Sequence, residues 1–539
     1  MTRFIGWIIL FCVAILVGLC DAITSNEAIF RNMSSEEIRS FFATEDGSVP
    51  KFELVKLTKP AQSNRAANVL YIPFSYHGIR TTAILSLVPD QDLISTTTTA
   101  VWFAKTNREA RQNVAYTPRP DILDGIGTFE FYQNEYECSA ITIFRRSRSE
   151  VSMIGILKQD YTVRSLPRGY ENGFRYVNSS HIIVSRSVDS ESDQDEDPPL
   201  YLVIYKNEKP SQKYFRRRTS VIYDDKPPYW LLELVQAPFF PPNVVYPKLL
   251  IAPAYDVVSS EGSVEAYIML LIAQLNALDM MYRQMKNPDV RLKIGGIIIP
   301  RDPSAMPYIR PGTNGFDDAK HSLTLTNDFF KKEDNRLQTN TYSAVIVLAT
   351  KQLYEYNGGV ANFVGLSLEY PGTNCETGIA MVKYSRGFGG VLTIAHELGH
   401  VFSAPRDGAT VPCPADNGYT MVQDVNLARM LKWSTCSQRI FSAFFRSLVA
   451  RCTHSRPVGV PKGVHSMPGS WMSLEGQCEN HMWTSVRPCY YANDCSRIIC
   501  RDNLWASECH FMSEPPLEGS LSWDGMRCVN HTWMNVRDW

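Results

Sequence analysis

The sequence predicts a mixed α/β (α+β) domain, with a β-rich segment before it and a small disulfide-rich domain after it. From about residue 246, short β-branched runs are interleaved with a long helical pattern, which is typical of an α/β domain. Before residue 218, runs rich in Thr, Tyr, Val and Ile alternate with turn residues, which favours strands. After residue 452, six cysteines fall within residues 478–528, a density that indicates a disulfide scaffold.

Composition and charge limit the class of protein. The 539 residues include 54 Lys and Arg against 55 Asp and Glu, and 44% of them are hydrophobic. This apolar content suits folded domains, about two to four of them at roughly 150 residues each. The net charge of -1 excludes a generally cationic nucleic-acid binder, because such proteins neutralise phosphates with an excess of Lys and Arg.

The first 22 residues have the layout of a secretory signal peptide. Arg3 precedes an apolar run over residues 4–20, and small residues around Ala22 offer a cleavage site. We therefore predict removal of residues 1–22, secretion to the extracellular space and no stable membrane span afterwards. The alternative is an uncleaved signal anchor, since the run is close to the lower length limit for crossing a bilayer.

Residues 23–218 are predicted to be a cleavable segment made largely of strands. Runs such as Val69-Leu70-Tyr71-Ile72 and residues 201–205 have the composition and spacing of strands. Three successive arginines, residues 216–218, stand before a Pro-rich stretch, as at an exposed and cleavable boundary. The alternative is a solvated loop that is not cut.

Residues 219–452 hold the α/β pattern. A long helix is predicted over residues 263–283, because its apolar residues recur every three or four positions. Compact β-branched runs predict buried strands, and residues 365–370 predict a more exposed one. The predicted buried strands are residues 249–253, 294–299 and 344–348.

The stretch that carries chemistry is residues 389–407, which read GGVLTIAHELGHVFSAPRD. Its apolar positions predict a largely buried helix. His396 and His400 are four residues apart, so their imidazoles lie on one face of that helix and can hold one divalent metal ion. Glu397 can reach a metal-bound water as a general base. These polar groups would be costly to bury without a partner, so the stretch predicts a metal site.

This stretch resembles the metzincin signature H-E-x-x-H-x-x-G-x-x-H, in its reprolysin (adamalysin) version. Asp407 stands where that version has Asp after the third histidine, and Gly418-Tyr419-Thr420-Met421 resembles the Met-turn. The resemblance covers residues 246–452 and is closest in style to secreted salivary metalloproteases of ticks. The tail from residue 467 is similar to the cysteine-rich module of reprolysins that carry thrombospondin motifs.

The resemblance implies a zymogen built from several parts. Families of this kind often keep the enzyme latent with a propeptide thiolate on the zinc. Cys138 is the single cysteine in residues 23–218 and is the candidate latency thiol, with a buried free thiol as the alternative. The implied parts are a signal peptide (1–22), a β-rich propeptide (23–218), a metzincin-like zinc protease domain (219–452) and a small disulfide-rich, cysteine-rich domain (453–539).

The same resemblance implies roles for single residues. His396 and His400 would bind Zn²⁺, Glu397 would activate the zinc-bound water, and Met421 would lie beneath the ion. The disulfides that the resemblance implies are Cys375–Cys452 and Cys413–Cys436.

Two positions depart from the signature. Ser403 replaces the glycine of the turn after the second histidine, where positive φ costs a residue with a β-carbon roughly 1–2 kcal/mol. Arg406 replaces the third metal-binding histidine, and its protonated guanidinium has no lone pair to donate. We expect Arg406 to point away from the metal, toward Asp407. Asp407 is also the adjacent alternative for the third ligand, although it is one residue out of register.

These departures leave two functions open. In the first, the protein is a secreted, monomeric zinc metalloendopeptidase whose extracellular protein substrates lie along the edge strand at residues 365–370. The retained Glu397 favours this interpretation. In the second, the replacement at Arg406 has ended catalysis, and the chain is a pseudoprotease that binds proteins without cutting them.

Overall fold

The computed structural model describes much of the chain and divides it into two compact units. One unit comprises Met1–Val88, Thr128–Lys209 and Ser385–Gly389, and the other comprises Pro89–Gly127, Pro210–Tyr384 and Gly390–Trp539. The signal peptide, the arginines at 216–218 and Cys375 lie outside the described residues, so the predictions made for them stay predictions. The described residues are 30, 32–57, 68–96, 98–108, 110, 113–147, 150–167, 182–185, 200–207, 242–310, 317–349, 351, 353–354, 365–368, 377–408, 412–422, 429–454, 469, 474, 477–478, 487–488, 495–501, 509–511, 515–517, 519–522, 526–529 and 531–535.

The described residues between 35 and 206 form mostly strands. In chain order the elements are α1 (Ser35–Phe42), β1 (Phe52–Leu57), β2 (Val69–Tyr76), β3 (Ile79–Leu87), β4 (Ala100–Thr106), β5 (Val114–Pro118), α2 (Asp121–Ile126), β6 (Thr128–Asn134), β7 (Ser139–Arg145), β8 (Val151–Leu157), β9 (Tyr161–Ser165), β10 (Ile182–Ser185) and β11 (Leu200–Lys206).

A sheet of mainly antiparallel strands forms the first unit. Among the described residues it has nine strands, in the order β10-β1-β11-β9-β8-β7-β6-β3-β2. Because side chains alternate along a strand, every second one faces a shared apolar core, which includes Ile72, Phe74, Ile141 and Met153. Strands β4 and β5 are not in this sheet, although they fall between its members in the sequence.

Residues 244–446 alternate strands with helices, as the sequence predicts. The predicted long helix and the three predicted buried strands are confirmed to within one residue at each end. In chain order the elements are β12 (Val244–Val245), β13 (Lys248–Pro253), α3 (Tyr255–Ser259), α4 (Val264–Tyr282), β14 (Asp289–Val290), β15 (Lys293–Pro300), β16 (Asp317–Asp318), α5 (Ala319–Lys332), α6 (Asp334–Leu337), β17 (Ala344–Ala349), β18 (Leu353–Tyr354), β19 (Gly365–Leu368), β20 (Gly378–Lys383), α7 (Gly389–Val401) and α8 (Thr435–Arg446).

The second unit is built on a sheet that has seven strands in the described part of the chain, in the order β19-β20-β17-β13-β15-β4-β5. Its inner strands run parallel, whereas the edge strands β19 and β5 run antiparallel to their neighbours. Strand β4 comes from the predicted propeptide and pairs in parallel with β15. The sequence did not predict this pairing, because the periodicity of a strand does not name its partner.

Helix α4 is the central helix of the second unit. The Ser263 hydroxyl caps it by accepting from the Ala266 backbone N–H at 3.0 Å. Within the described residues α4 is the one helix that is long and apolar enough to cross a membrane, yet 78% of its apolar window is buried inside the protein. A helix that is apolar all round and buried in this way is a core helix.

Disulfides link the C-terminal part of the chain. Cys478 pairs with Cys500 and Cys495 pairs with Cys528, around a small apolar core. These two pairs confirm a disulfide scaffold in the described part of the C-terminal region. Its strands are β21 (Arg487–Pro488), β22 (Ile499–Arg501), β23 (His510–Phe511), β24 (Met526–Val529) and β25 (Thr532–Asn535).

Candidate metal centre

Helix α7 carries the His-Glu-His stretch into the interior of the second unit, where every residue from Gly390 to Val401 is buried. The Tyr282 hydroxyl of α4 donates to the Ala395 carbonyl at 3.1 Å. The Trp433 indole N–H donates to the Met281 carbonyl, also on α4, at 2.9 Å. These bonds hold α7 and the segment around Trp433 against the same core helix, which gives the two histidines a rigid support.

The structure brings the two predicted histidines together. The Nε2 atoms of His396 and His400 are 3.2 Å apart, and their rings are nearly perpendicular, at 85°. Each Nδ1 lies 2.8 Å from a backbone carbonyl oxygen, that of Thr420 for His396 and that of Ala404 for His400. Both Nε2 atoms therefore point into the same space.

The two carbonyls decide the tautomer of each ring. A carbonyl oxygen can only accept, so each Nδ1 carries the hydrogen and each Nε2 of a neutral ring keeps its lone pair. Two lone pairs that face each other at 3.2 Å repel unless a cation lies between them. Two zinc–nitrogen bonds of about 2.0–2.1 Å in tetrahedral geometry place the nitrogens about 3.3 Å apart, so the pair fits a divalent metal ion.

A proton is a poor substitute for that cation. The pKa of His396 is lowered to about 4, chiefly by burial and then by the charge of Arg406. The pKa of His400 is lowered by burial, by His396 and by Arg406. Both rings are therefore neutral near neutral pH, which is the form in which imidazole binds metals.

Glu397 is part of α7, and Met421 packs against the backbone of α7. Glu397 follows His396 on α7 and is buried. Met421 is fully buried, and a β-carbon at Gly399 would lie 2.7 Å from its sulfur. Glycine at position 399 thus lets Met421 approach the helix backbone between the two histidines, and the neighbouring Thr420 supplies the carbonyl that orients His396.

The turn after His400 has the backbone predicted for it. Ser403 has a φ of 70°, the left-handed conformation that favours glycine. Its N–H donates to the His400 carbonyl at 2.8 Å, which closes the end of α7. Its hydroxyl is buried, and no hydrogen-bond partner for it lies among the described residues.

We expect the Ser403→Gly variant to unfold at a temperature about 2–4 °C higher than the natural protein. Glycine removes a conformational cost of roughly 1–2 kcal/mol and a buried hydroxyl, against an entropy cost of roughly 0.5–1 kcal/mol in the unfolded chain. Thermal unfolding checks this. A Ser403→Ala variant removes only the hydroxyl and should gain less, and a glycine variant that melts no later than the natural protein would contradict the account.

Arg406 lies close enough to the histidines for its charge to depress the pKa of both. Its expected partner, Asp407, instead accepts from the Ser434 hydroxyl at 2.7 Å. The second oxygen of Asp407 is buried without a hydrogen-bond partner in the described residues, and burial raises the pKa of this carboxyl. One oxygen of the Asp407 carboxylate is thus bound by the residue that caps α8, and the guanidinium charge acts on the histidines. The direction of Arg406 toward Asp407 stays a prediction.

The donor set around the two imidazoles was the open question of the signature. Among the described residues, no group of three His, Cys, Asp or Glu side chains is placed to hold a metal ion. Within the described residues, two imidazole nitrogens are thus placed to bind one metal ion. The positive charge of Arg406 acts at the same site. Asp407 as third ligand remains a prediction.

Cys413 and Cys436 form a disulfide, which confirms one of the two pairs that the resemblance implies. The bond ties the segment before the Met-turn to the first turn of α8. Cys138 belongs to the first unit, in the turn between β6 and β7. It is 2% exposed, and its thiol donates to the Glu135 carbonyl at 3.9 Å. Its role as a latency thiol stays a prediction.

Sequence reasoning missed the groups that orient the imidazoles. They are the backbone carbonyls of Thr420 and Ala404. Because every residue has a backbone carbonyl, the residue type does not indicate this role. The position of Thr420, directly before the Met of the predicted Met-turn, is the one signal that could have indicated its role.

Part of the chain is similar to a known family of metallopeptidases. Residues 267–407 match the family described as "Metallo-peptidase family M12B Reprolysin-like". This stretch is reprolysin-like. It runs from α4 to the end of the signature and includes the two histidines, Glu397 and both departures. The mixed α/β content and the C-terminal disulfides accompany it, as the resemblance predicts.

Known relatives of the reprolysin-like stretch extend the match along the chain. A protein named "A disintegrin and metalloproteinase with thrombospondin motifs like" from Bombyx mori is 27% identical over 54% of this chain and 44% of its own length. "Venom metalloproteinase 2" of Eulophus pennicornis is 30% identical over 33% of this chain and 43% of its own. Human "A disintegrin and metalloproteinase with thrombospondin motifs 15" is 24% identical over 53% of this chain and 30% of its own length. The chain spans less than half the length of each relative, and the likeness to tick proteins stays a prediction.

Proposed function

We propose that this protein is a secreted zinc metalloendopeptidase of the reprolysin type, which hydrolyses peptide bonds in extracellular proteins. The observation that carries the proposal is the pair of buried Nε2 lone pairs 3.2 Å apart, each fixed by a carbonyl behind it. Two imidazole lone pairs that face each other at this distance suit a divalent cation between them. The match of residues 267–407 to a metallopeptidase family supports the same conclusion.

The residues divide the work as follows. His396 and His400 would hold the ion, and the Thr420 and Ala404 carbonyls keep the two rings aimed at it. Zinc, when bound, supplies a Lewis acid that makes a bound water acidic near neutral pH. Glu397, beside His396 on α7, accepts the proton of the attacking water and passes it to the leaving amine.

The substrate would add a strand to the sheet. Among the described residues, β19 is the edge strand of its sheet and pairs with β20 in antiparallel register. An extended peptide would bind along this edge through backbone hydrogen bonds. Secretion rests on the predicted signal peptide and on the disulfides, which persist in oxidising compartments.

A second function is favoured by Arg406. Its charge acts on both histidines and opposes a divalent cation, so the metal site would be weak or empty in the secreted protein. The chain would then be a pseudoprotease that keeps the peptide-binding edge and uses it to bind proteins.

Elemental analysis and a cleavage assay on the purified secreted protein separate the two functions. The metalloendopeptidase predicts one zinc per chain and cleavage of a protein substrate that stops when a chelator removes the metal. Less than about a tenth of a zinc per chain after dialysis against micromolar zinc, together with no cleavage, would reject it in favour of the pseudoprotease.

A further inference from the structure

The outer edge of β15 is covered by a segment of the predicted propeptide. Residues of β4 pair with β15 in parallel, from Ala100 opposite Gly296 to Ala104 opposite Pro300. Strand β5 then folds back on β4 in antiparallel register. Both strands belong to the same compact unit as the reprolysin-like stretch.

We propose that residues 89–127 are a permanent part of the second unit, so that cutting the chain after Arg218 does not release the N-terminal fragment. The fragment that ends at residue 218 would stay bound to residues 219–539 through strand β4. The partner of the β15 edge is thus this chain's own earlier segment, and the processed protein is a complex of two pieces.

Side-chain packing on the sheet supports the proposal. Ala100, Trp102 and Ala104 face the core that also contains Ile298 and Val347. Trp102 is 4% exposed, and a β-carbon at Gly296 would lie 2.6 Å from its ring. Strand β15 therefore has a glycine where a larger residue would clash with the indole, so the two strands are sterically complementary.

Polar groups of the second unit also find their partners in residues 89–127. Lys293 is 5% exposed, and its ammonium group contacts the carboxylates of Asp92 and Asp90. The Thr106 N–H donates to Asp302 at 2.8 Å. Removing the segment would leave the Lys293 charge without these carboxylates, and a charge is costly to bury unless it is paired.

The uncovered edge would itself be a hazard. Strand β15 reads KIGGIIIP, and all eight residues are buried. With β4 gone, its outer backbone groups would form an open, apolar edge, the kind that pairs with other chains and aggregates. Retention of β4 keeps this edge closed after processing.

The test is to insert the recognition sequence of a site-specific protease after Arg218 and cut the purified full chain. We expect the two fragments to co-elute at one-to-one stoichiometry in size-exclusion chromatography, without denaturant. In hydrogen–deuterium exchange, the amides of residues 100–106 and 294–300 should keep their protection to within about twofold of the uncut chain. Separation of the fragments would overturn the proposal. Co-elution with loss of protection in both strands would overturn it too, because the fragments would then be held by other contacts.

A pair of variants makes the assignment specific to β4. Trp102→Ala in the cut protein should increase the fraction of free 219–539 fragment at least tenfold. Tyr71→Ala is the matched control, since Tyr71 is 55% exposed on the sheet of the first unit, and it should leave that fraction unchanged. Equal dissociation of the two variants would count against the role of β4. If Trp102→Ala does not fold, the exchange measurement on the natural sequence decides alone.

Discussion

The Glu397→Gln variant is expected to lose about 10²- to 10⁴-fold in kcat/KM on a peptide substrate. Glutamine keeps the size of the side chain and its capacity for hydrogen bonds, but it cannot take a proton from the attacking water. The imidazoles and the carbonyls that orient them are untouched, so zinc per chain should not change. The measurement is chelator-sensitive cleavage of a fluorogenic peptide, with zinc content determined on the same preparation.

Glu265→Gln is the control for that experiment. Glu265 is an exposed carboxylate at the start of α4, so its loss removes one negative charge from the same unit without touching α7. We expect this variant to cleave at the natural rate. A Glu397→Gln protein that still hydrolyses the peptide at the natural rate would remove Glu397 from the mechanism.

The Arg406→His variant is expected to bind zinc at least about a hundredfold more tightly than the natural protein and to gain activity in proportion. A unit charge about 5 Å from a divalent ion costs roughly 6–7 kcal/mol at an effective dielectric of 20, before solvent and salt reduce it. The substitution removes that charge and adds the imidazole that three-ligand catalytic zinc sites use. Zinc affinity is measured by competition with a chromophoric chelator, and activity on the same peptide.

Arg406→Gln separates the two contributions. Glutamine removes the charge without supplying an imidazole, so its zinc affinity should fall between those of the natural protein and the histidine variant. If the histidine variant binds zinc no more tightly than the natural protein, then Arg406 does not weaken the site. If both variants bind equally, relief of charge repulsion accounts for the whole gain.

Features that depend on local spacing could be predicted from the sequence. The four-residue interval of His396 and His400 places both imidazoles on one face of α7, and their Nε2 atoms do converge. The glycine position occupied by Ser403 predicts a positive φ, which the structure has. The apolar repeat of residues 263–283 predicts a helix, and α4 is found at Val264–Tyr282.

Features that depend on distant partners could not be predicted. The composition of β4 predicts only one more strand of an N-terminal β-rich segment. The structure instead pairs it with β15, about two hundred residues later. This pairing depends on burial of Trp102 and on the ion pair of Lys293 with Asp92, which join residues far apart in the sequence. Asp407 is a second case. The hydrogen bond of one of its carboxylate oxygens with the Ser434 hydroxyl, at 2.7 Å, joins residues 27 positions apart and has no signal in local spacing.

The order of β4 and β15 along the chain has a consequence for biosynthesis. A ribosome makes residues 100–118 well before residues 293–300, and chains begin to fold from the N-terminal end as they emerge. The strand that covers the apolar edge is therefore already outside the ribosome when that edge appears. A nascent chain made in this order never presents the isoleucine-rich strand alone, whereas translation begun at residue 219 would present it with nothing to cover it.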